Sequence, residues 1–272
     1  MSATTAGERL TRRALIALTG AVMVFLLAPI LAIIPLSFSA GSFLHYPLPG
    51  ISLRWYADFF TSEFWLPALQ NSVVTASATA ILATTLGTLA AIGLWLARFP
   101  GRAVITTLLL LPMVVPDIIT AVGIYFAFAP LGLTNSYLGL VLAHTCLATP
   151  FVVVTVLATL SGFDRILLRA AASLGAGPGL AFRKVMLPLI FPGVITGALF
   201  AFTISFDEVV VALLVAGPAY RTLPRQMFSG INENLSLTIT AVATMTVLLS
   251  TALLVAAMLL QRRSARAGSP AA

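Results

Sequence analysis

The stretch SGFDRILLRAAASLGAGPGLAFRKVMLP, residues 161–188, separates two long uncharged runs and has a shape of its own by local rules. Asp164 is placed as a helix N-cap, the residues after it are good helix formers, and Gly175 is placed to end the helix. Along that helix Ile166, Ala170 and Leu174 recur every four residues, flanked by Leu167 and Ala171, which makes one apolar stripe with small residues at its centre. Gly175, Gly177, Pro178 and Gly179 then form a turn, and a second short helix from about Leu180 runs into Pro188. The expected product is a helix-turn-helix knob. Its stripe suits close approach by another protein or rest on a membrane surface, and local rules leave both open.

The runs on either side of the knob, about 138–160 and 189–215, are each long enough to cross a bilayer, which takes roughly 20 apolar residues. Four more lie farther out, at about 14–38, 68–97, 103–128 and 236–260. With 60% hydrophobic and 8% charged residues over 272 positions, the composition excludes a soluble domain. The expected organisation is an all-α integral membrane protein. It has an N-terminal segment 1–13, one six-helix domain over 14–260 that includes the knob, and a polar tail 261–272 read as disordered.

Six crossings put both termini on one side, and the basic residues say which. With the N-terminus inside, twelve of the fifteen Lys and Arg fall on inside segments, among them Arg9, Arg98, Arg169, Arg183 and Arg262, and only Arg54, Arg221 and Arg225 lie outside. Both termini are therefore expected in the cytoplasm. The net charge of +7 is topology and not a nucleic-acid footprint, because the basic residues are scattered over short loops. The first run is too long for the core of a signal peptide and is expected to stay as helix 1. The single Cys146 excludes a disulfide framework and reads as a small packing residue.

Residues 39–67 hold Trp55, Tyr56, Phe59, Phe60, Phe64 and Trp65 among polar neighbours, a composition that suits an interfacial helix. The turn from Arg98 to Arg102 makes helices 2 and 3 antiparallel neighbours. No internal repeat is evident, which weighs against a secondary carrier built from inverted halves.

Ionisable residues inside spanning helices cost about 2.5–3.5 kcal/mol each on insertion scales and normally face a bundle interior or water. Asp117, His144, Asp207 and Glu208 are in this position. At about 1.5 Å rise per residue, Asp117 falls roughly 21 Å and Asp207 roughly 27 Å from the cytoplasmic end, so the two could form one acidic step for a cationic solute. The plainer alternative is that they bond to freed backbone near Pro116, to hydroxyls, or to a partner chain. Glu208, adjacent to Asp207 and about 100° round a helix from it, is not expected to share its pore axis. His144 reads as a hydrogen-bonded core histidine, and no second His or Cys at ligand spacing supports a metal site. Prolines 29, 35, 112, 116, 150, 188 and 192 are expected kinks.

The loop resembles the permease signature of bacterial ABC importers: Glu-Ala-Ala, three residues, Gly, nine residues, then Ile-x-Leu-Pro. Ala170 and Ala171 stand at the two Ala positions, Gly175 follows at the right distance, and Val185-Met186-Leu187-Pro188 closes the pattern. Arg169 stands where the family usually has Glu, which reverses a charge at any interface there. SLRWYADFF (52–60), LLLLPMVVPDI (108–118), the run 187–217 and RTLPRQMFSGI (221–231) look like permeases of the spermidine/putrescine subfamily. The resemblance implies a type I ABC importer permease fold in the bacterial inner membrane, with a coupling helix between helices 4 and 5. Arg169, Ala170, Ala171, Gly175, Leu187 and Pro188 would then engage a dimeric ATPase. It also implies a second permease subunit, in a heterodimer, and an external solute-binding protein. The solute would be a polyamine or related small organic cation, with amino-acid derivatives or opine-like solutes as the alternative. The chain holds no G-x-x-x-x-G-K-[ST] phosphate loop, so it is expected not to be an enzyme, and ATP and Mg²⁺ would sit on the partner.

Overall fold

The computed structural model describes residues 6–97, 99–233 and 236–267; Arg98 and the last five residues of the tail lie outside them. Twelve helices follow in order: α1 (Ala6–Leu36), α2 (Arg54–Thr61), α3 (Trp65–Leu96), α4 (Arg102–Leu110), α5 (Asp117–Phe128), α6 (Tyr137–Ser161), α7 (Ile166–Ser173), α8 (Pro178–Ala181), α9 (Leu187–Asp207), α10 (Val210–Val215), α11 (Leu223–Glu233) and α12 (Thr238–Ala267). Short 3₁₀ turns follow α4 and α10, and a π-helical turn, Phe182–Met186, joins α8 to α9. Among the described residues, five helical stretches are long and apolar enough to cross a membrane, and the count is six when α4 and α5 are taken as one bent span.

The chain divides into two compact units, Met1–Ser62 with Gly230–Val247, and Glu63–Ser229 with Leu248–Ala272. In the first, α2 is the expected aromatic helix. Trp55 Nε1 donates to the Ser39 carbonyl at 2.8 Å and lies 4.2 Å beneath the Arg54 guanidinium. Ser37 shares a 2.8 Å hydrogen bond with the Tyr56 hydroxyl, and Thr238 Oγ1 donates to Asp58 Oδ2 at 2.6 Å.

The second unit is built on α3, α6 and α9, which pack on one another through small and β-branched residues: Ala83, Ala91, Ala148, Val152, Val156, Ile190 and Ala201 are buried. Lipid tails are as apolar as these side chains, so close backbone approach has to hold such helices together. It does so at glycines. A Cβ on Gly87 of α3 would stand 2.7 Å from Val152 Cβ of α6, and one on Gly193 of α9 would stand 2.8 Å from Thr159 Cβ of α6. Gly197, four residues on from Gly193, also faces Val152, which gives the small-xxx-small spacing. The hydroxyls of Thr145, Thr149, Thr155 and Thr159 each donate to the carbonyl four residues back, so these four groups enter the apolar interior already satisfied.

Four expectations need correction. The run 103–128 is not a straight span: after α4 and its 3₁₀ turn the chain bends by 103° at Pro116 before α5 begins, so a depth for Asp117 counted along one helix does not hold. The run 189–215 breaks after Asp207, because Glu208 is extended (φ −72°, ψ 124°) and α10 starts afresh at Val210. Cys146 is exposed on α6 and packs into no core of this chain. The last helix runs on through Ala267, so the tail is helical over its first residues.

Candidate functional site

The knob forms almost as its residues dictate. Asp164 Oδ1 accepts from the Ile166 amide at 2.8 Å, although the N-cap position of α7 is Arg165, one residue later than expected. At the other end Gly175 takes φ +83°, its amide bonds to the Ala172 carbonyl at 3.0 Å, and the Ala176 amide bonds to the Ala171 carbonyl at 3.0 Å. This is the pair of bonds that closes a helix with a left-handed glycine. The second helix begins with Pro178 in its first turn, two residues earlier than Leu180, and runs through the π turn into α9. Leu187 and Pro188 therefore open a continuous helix that leads from the knob into the bundle.

The stripe divides. Ala171 is buried against the chain's own core, whereas Ile166, Arg169, Ala170 and Gly175 are exposed and Leu174 is 89% exposed. Beneath α7, Leu96, Leu168, Ala172, Pro178, Phe182 and Met186 line an apolar groove of about 290 Å³ together with Ala176 and Ala181. Arg169, Arg183 and Lys184 are exposed on the same element.

A clamp that the sequence did not signal fixes the knob to α3. The Arg165 guanidinium lies 4.3 Å over the Trp95 ring and donates to the Trp95 carbonyl, while Phe163 meets the same ring edge-on at 5.5 Å. Trp95 is in the last turn of α3, where carbonyls lack helical partners and a cation is favoured. In the sequence Arg165 reads only as one more inside charge. At the far end of α3, Asn71 Nδ2 donates to the carbonyls of Ala219 (3.1 Å) and Arg221 (2.9 Å), Tyr137 donates its hydroxyl to Asn71 Oδ1, and the Leu223 amide donates to Ser72 Oγ at 2.7 Å.

The acidic residues sit at the two helix breaks. Asp117 begins α5 immediately after the bend and is exposed. Glu208 Oε1 accepts from the Val211 amide at 2.6 Å and so caps α10, which packs with α5 around Ala121, Val211 and Val215. Asp207 ends α9 and accepts from Ser250 Oγ of α12 at 3.2 and 3.3 Å. Since the helix stops between them, the 100° separation expected of Asp207 and Glu208 does not apply. His144 is fully buried on α6 with Nδ1 2.8 Å from Ser205 Oγ of α9, a core histidine as expected. Among the described residues, no group of three His, Cys, Asp or Glu could hold a metal ion.

A family model described as "Binding-protein-dependent transport system inner membrane component" matches residues 83–267. The chain is similar to the spermidine/putrescine transport system permease protein PotC of Haemophilus influenzae, 36% identical over 243 residues, with 89% of this chain and 94% of the relative covered. It is also similar to the putrescine transport system permease protein PotI of Escherichia coli K12, 34% identical over 228 residues and 81% of each chain. Its fold matches a chain of a bacterial ABC transporter that imports the acidic polysaccharide alginate, with a TM-score of 0.71 at 15% identity over 96% of this chain and 99% of that one.

Proposed function

Because the chain belongs to the family of binding-protein-dependent transport system inner membrane components, we propose that it forms one permease half of an ATP-driven importer for polyamines or a related small organic cation. The observation that carries this reading is the knob: an exposed apolar end at Leu174, fixed by the left-handed turn at Gly175 and continuous with α9. Ile166 and Leu167 are exposed on the same short element, and exposed apolar groups gathered on a knob outside the spanning helices support an interaction surface for another protein. That protein is an ATPase subunit dimer, which holds ATP and Mg²⁺. The second half of the pathway is a related permease, so the complex is a heterodimer in the membrane, and a solute-binding protein loads it from outside. The excess of basic residues on the knob side puts both termini in the cytoplasm.

For the solute, similarity to PotC and PotI and the three carboxylates at the helix breaks favour an ammonium compound. Carboxylates can replace the hydration that an ammonium group loses in a pore. Uptake of labelled spermidine into proteoliposomes of the whole complex tests this. ATP-dependent uptake that putrescine competes supports it, and uptake competed by an opine or a basic amino acid but not by putrescine sinks the polyamine assignment.

A further inference from the structure

α6 and α9 are joined through the knob by the chain itself, so any displacement of the knob reaches them covalently. α3 has no such link. The Arg165–Trp95 stack, the bond from Arg165 to the Trp95 carbonyl and the Phe163 contact supply one at the knob end of this unbroken 32-residue helix. Asn71 and Ser72, 24 residues earlier and so about 36 Å away along the axis, hold the backbone from Ala219 to Leu223 at the opposite end. That segment follows α10 after three residues, and the first turn of α10 is capped by Glu208. All these groups lie in one compact unit.

We infer that α3 is a connecting rod, with Arg165 and Trp95 as positioning residues that pass displacement of the knob to the 219–223 segment at the far side of the membrane. The Asn71 side chain has the chemistry for the outer joint: both amide protons and its oxygen are engaged, so segment and helix move together. At the inner joint the guanidinium caps the helix and stacks on its indole at once, which fixes direction as well as distance. A merely stabilising clamp would affect assembly or melting. A rod affects what nucleotide does at the other end.

This inference rests on the docking of an ATPase at the knob, and the experiment separates the two. The whole complex is purified in nanodiscs with Cys146→Ser and with Ala219, an exposed residue, replaced by Cys; the rate of labelling by a polar maleimide is measured with and without a non-hydrolysable ATP analogue and Mg²⁺. Nucleotide is expected to change the rate in the parent complex. In Trp95→Ala and Arg165→Gln complexes that still carry the ATPase, the change should shrink by about fivefold or more, the scale of ordinary coupling energies. Trp95→Phe should keep most of it, and the Trp95→Ala/Arg165→Gln double variant should be no worse than either single. An undiminished response in both single variants, or losses that multiply in the double, overturns the rod. A parent complex without ATPase overturns the docking reading and the rod with it, whereas one that holds the ATPase and does not respond to nucleotide overturns the rod alone. Should Trp95→Ala fail to assemble, Arg165→Gln and Trp95→Phe decide by the same readout.

Discussion

A Cβ at Gly175 would meet nothing within 4 Å, yet the backbone there is left-handed, so the constraint on this residue is conformational and not steric. A β-branched side chain in that conformation costs about 1–2 kcal/mol, while asparagine tolerates it. Gly175→Val is therefore expected to open the end of α7 and to cut co-purification of the ATPase by about tenfold, and Gly175→Asn to preserve most of it; equal recovery of the two variants would show that the turn does not matter. Asp207 accepts a hydrogen bond from Ser250 that asparagine can also accept, so Asp207→Asn should leave assembly intact while it lowers cation uptake. Full uptake by that variant would remove Asp207 from the solute path. Both residues were readable as special from the sequence, Gly175 by spacing and Asp207 by its charge in an apolar run. The bond from Ser250 was not readable, because it depends on which helices meet.

At the scale of elements, α9 lies on α6 at Gly193, where any side chain would overlap Thr159, whereas Gly93 of α3 has open space around it. Gly193→Leu is expected to destabilise the purified chain strongly, with the overpacking cost of about 1–3 kcal/mol or more. Gly93→Ala should leave melting unchanged or raise it, since alanine is the better helix former by about 1 kcal/mol. Thermal unfolding in detergent checks both, and a Gly193→Leu variant as stable as the parent would contradict the packing described. The contrast explains what the sequence could tell. The knob was legible residue by residue because its cap, turn and closing glycine are local. The two breaks were not. Hydropathy runs unchanged through 103–128 and 189–215, and Pro116 marked a kink without saying that it would turn the chain by 103°. At that bend α5 packs on α10, which is not a property of one segment, whereas the end of α9 carries a local mark that hydropathy passes over, the Glu208 carboxylate accepting from the Val211 amide three residues on.

At the scale of the molecule, no residue in the apolar stretch of α1 is buried within this chain, Leu174 projects from the knob, and Asp117 lies open beside the bend. On the proposed reading these are surfaces of one subunit of a larger assembly, which lipid, a second permease and an ATPase would cover. The chain is a two-state conduit by this account, moved at the knob by a partner that binds ATP. The most direct test is affinity purification of the tagged chain from its native membrane in mild detergent, with mass spectrometry of what accompanies it and an ATPase assay on the product. The account predicts an ATP-binding subunit and a second permease in the complex, with ATP hydrolysis that the solute-binding protein stimulates. A lone chain that transports in proteoliposomes without ATP would contradict it.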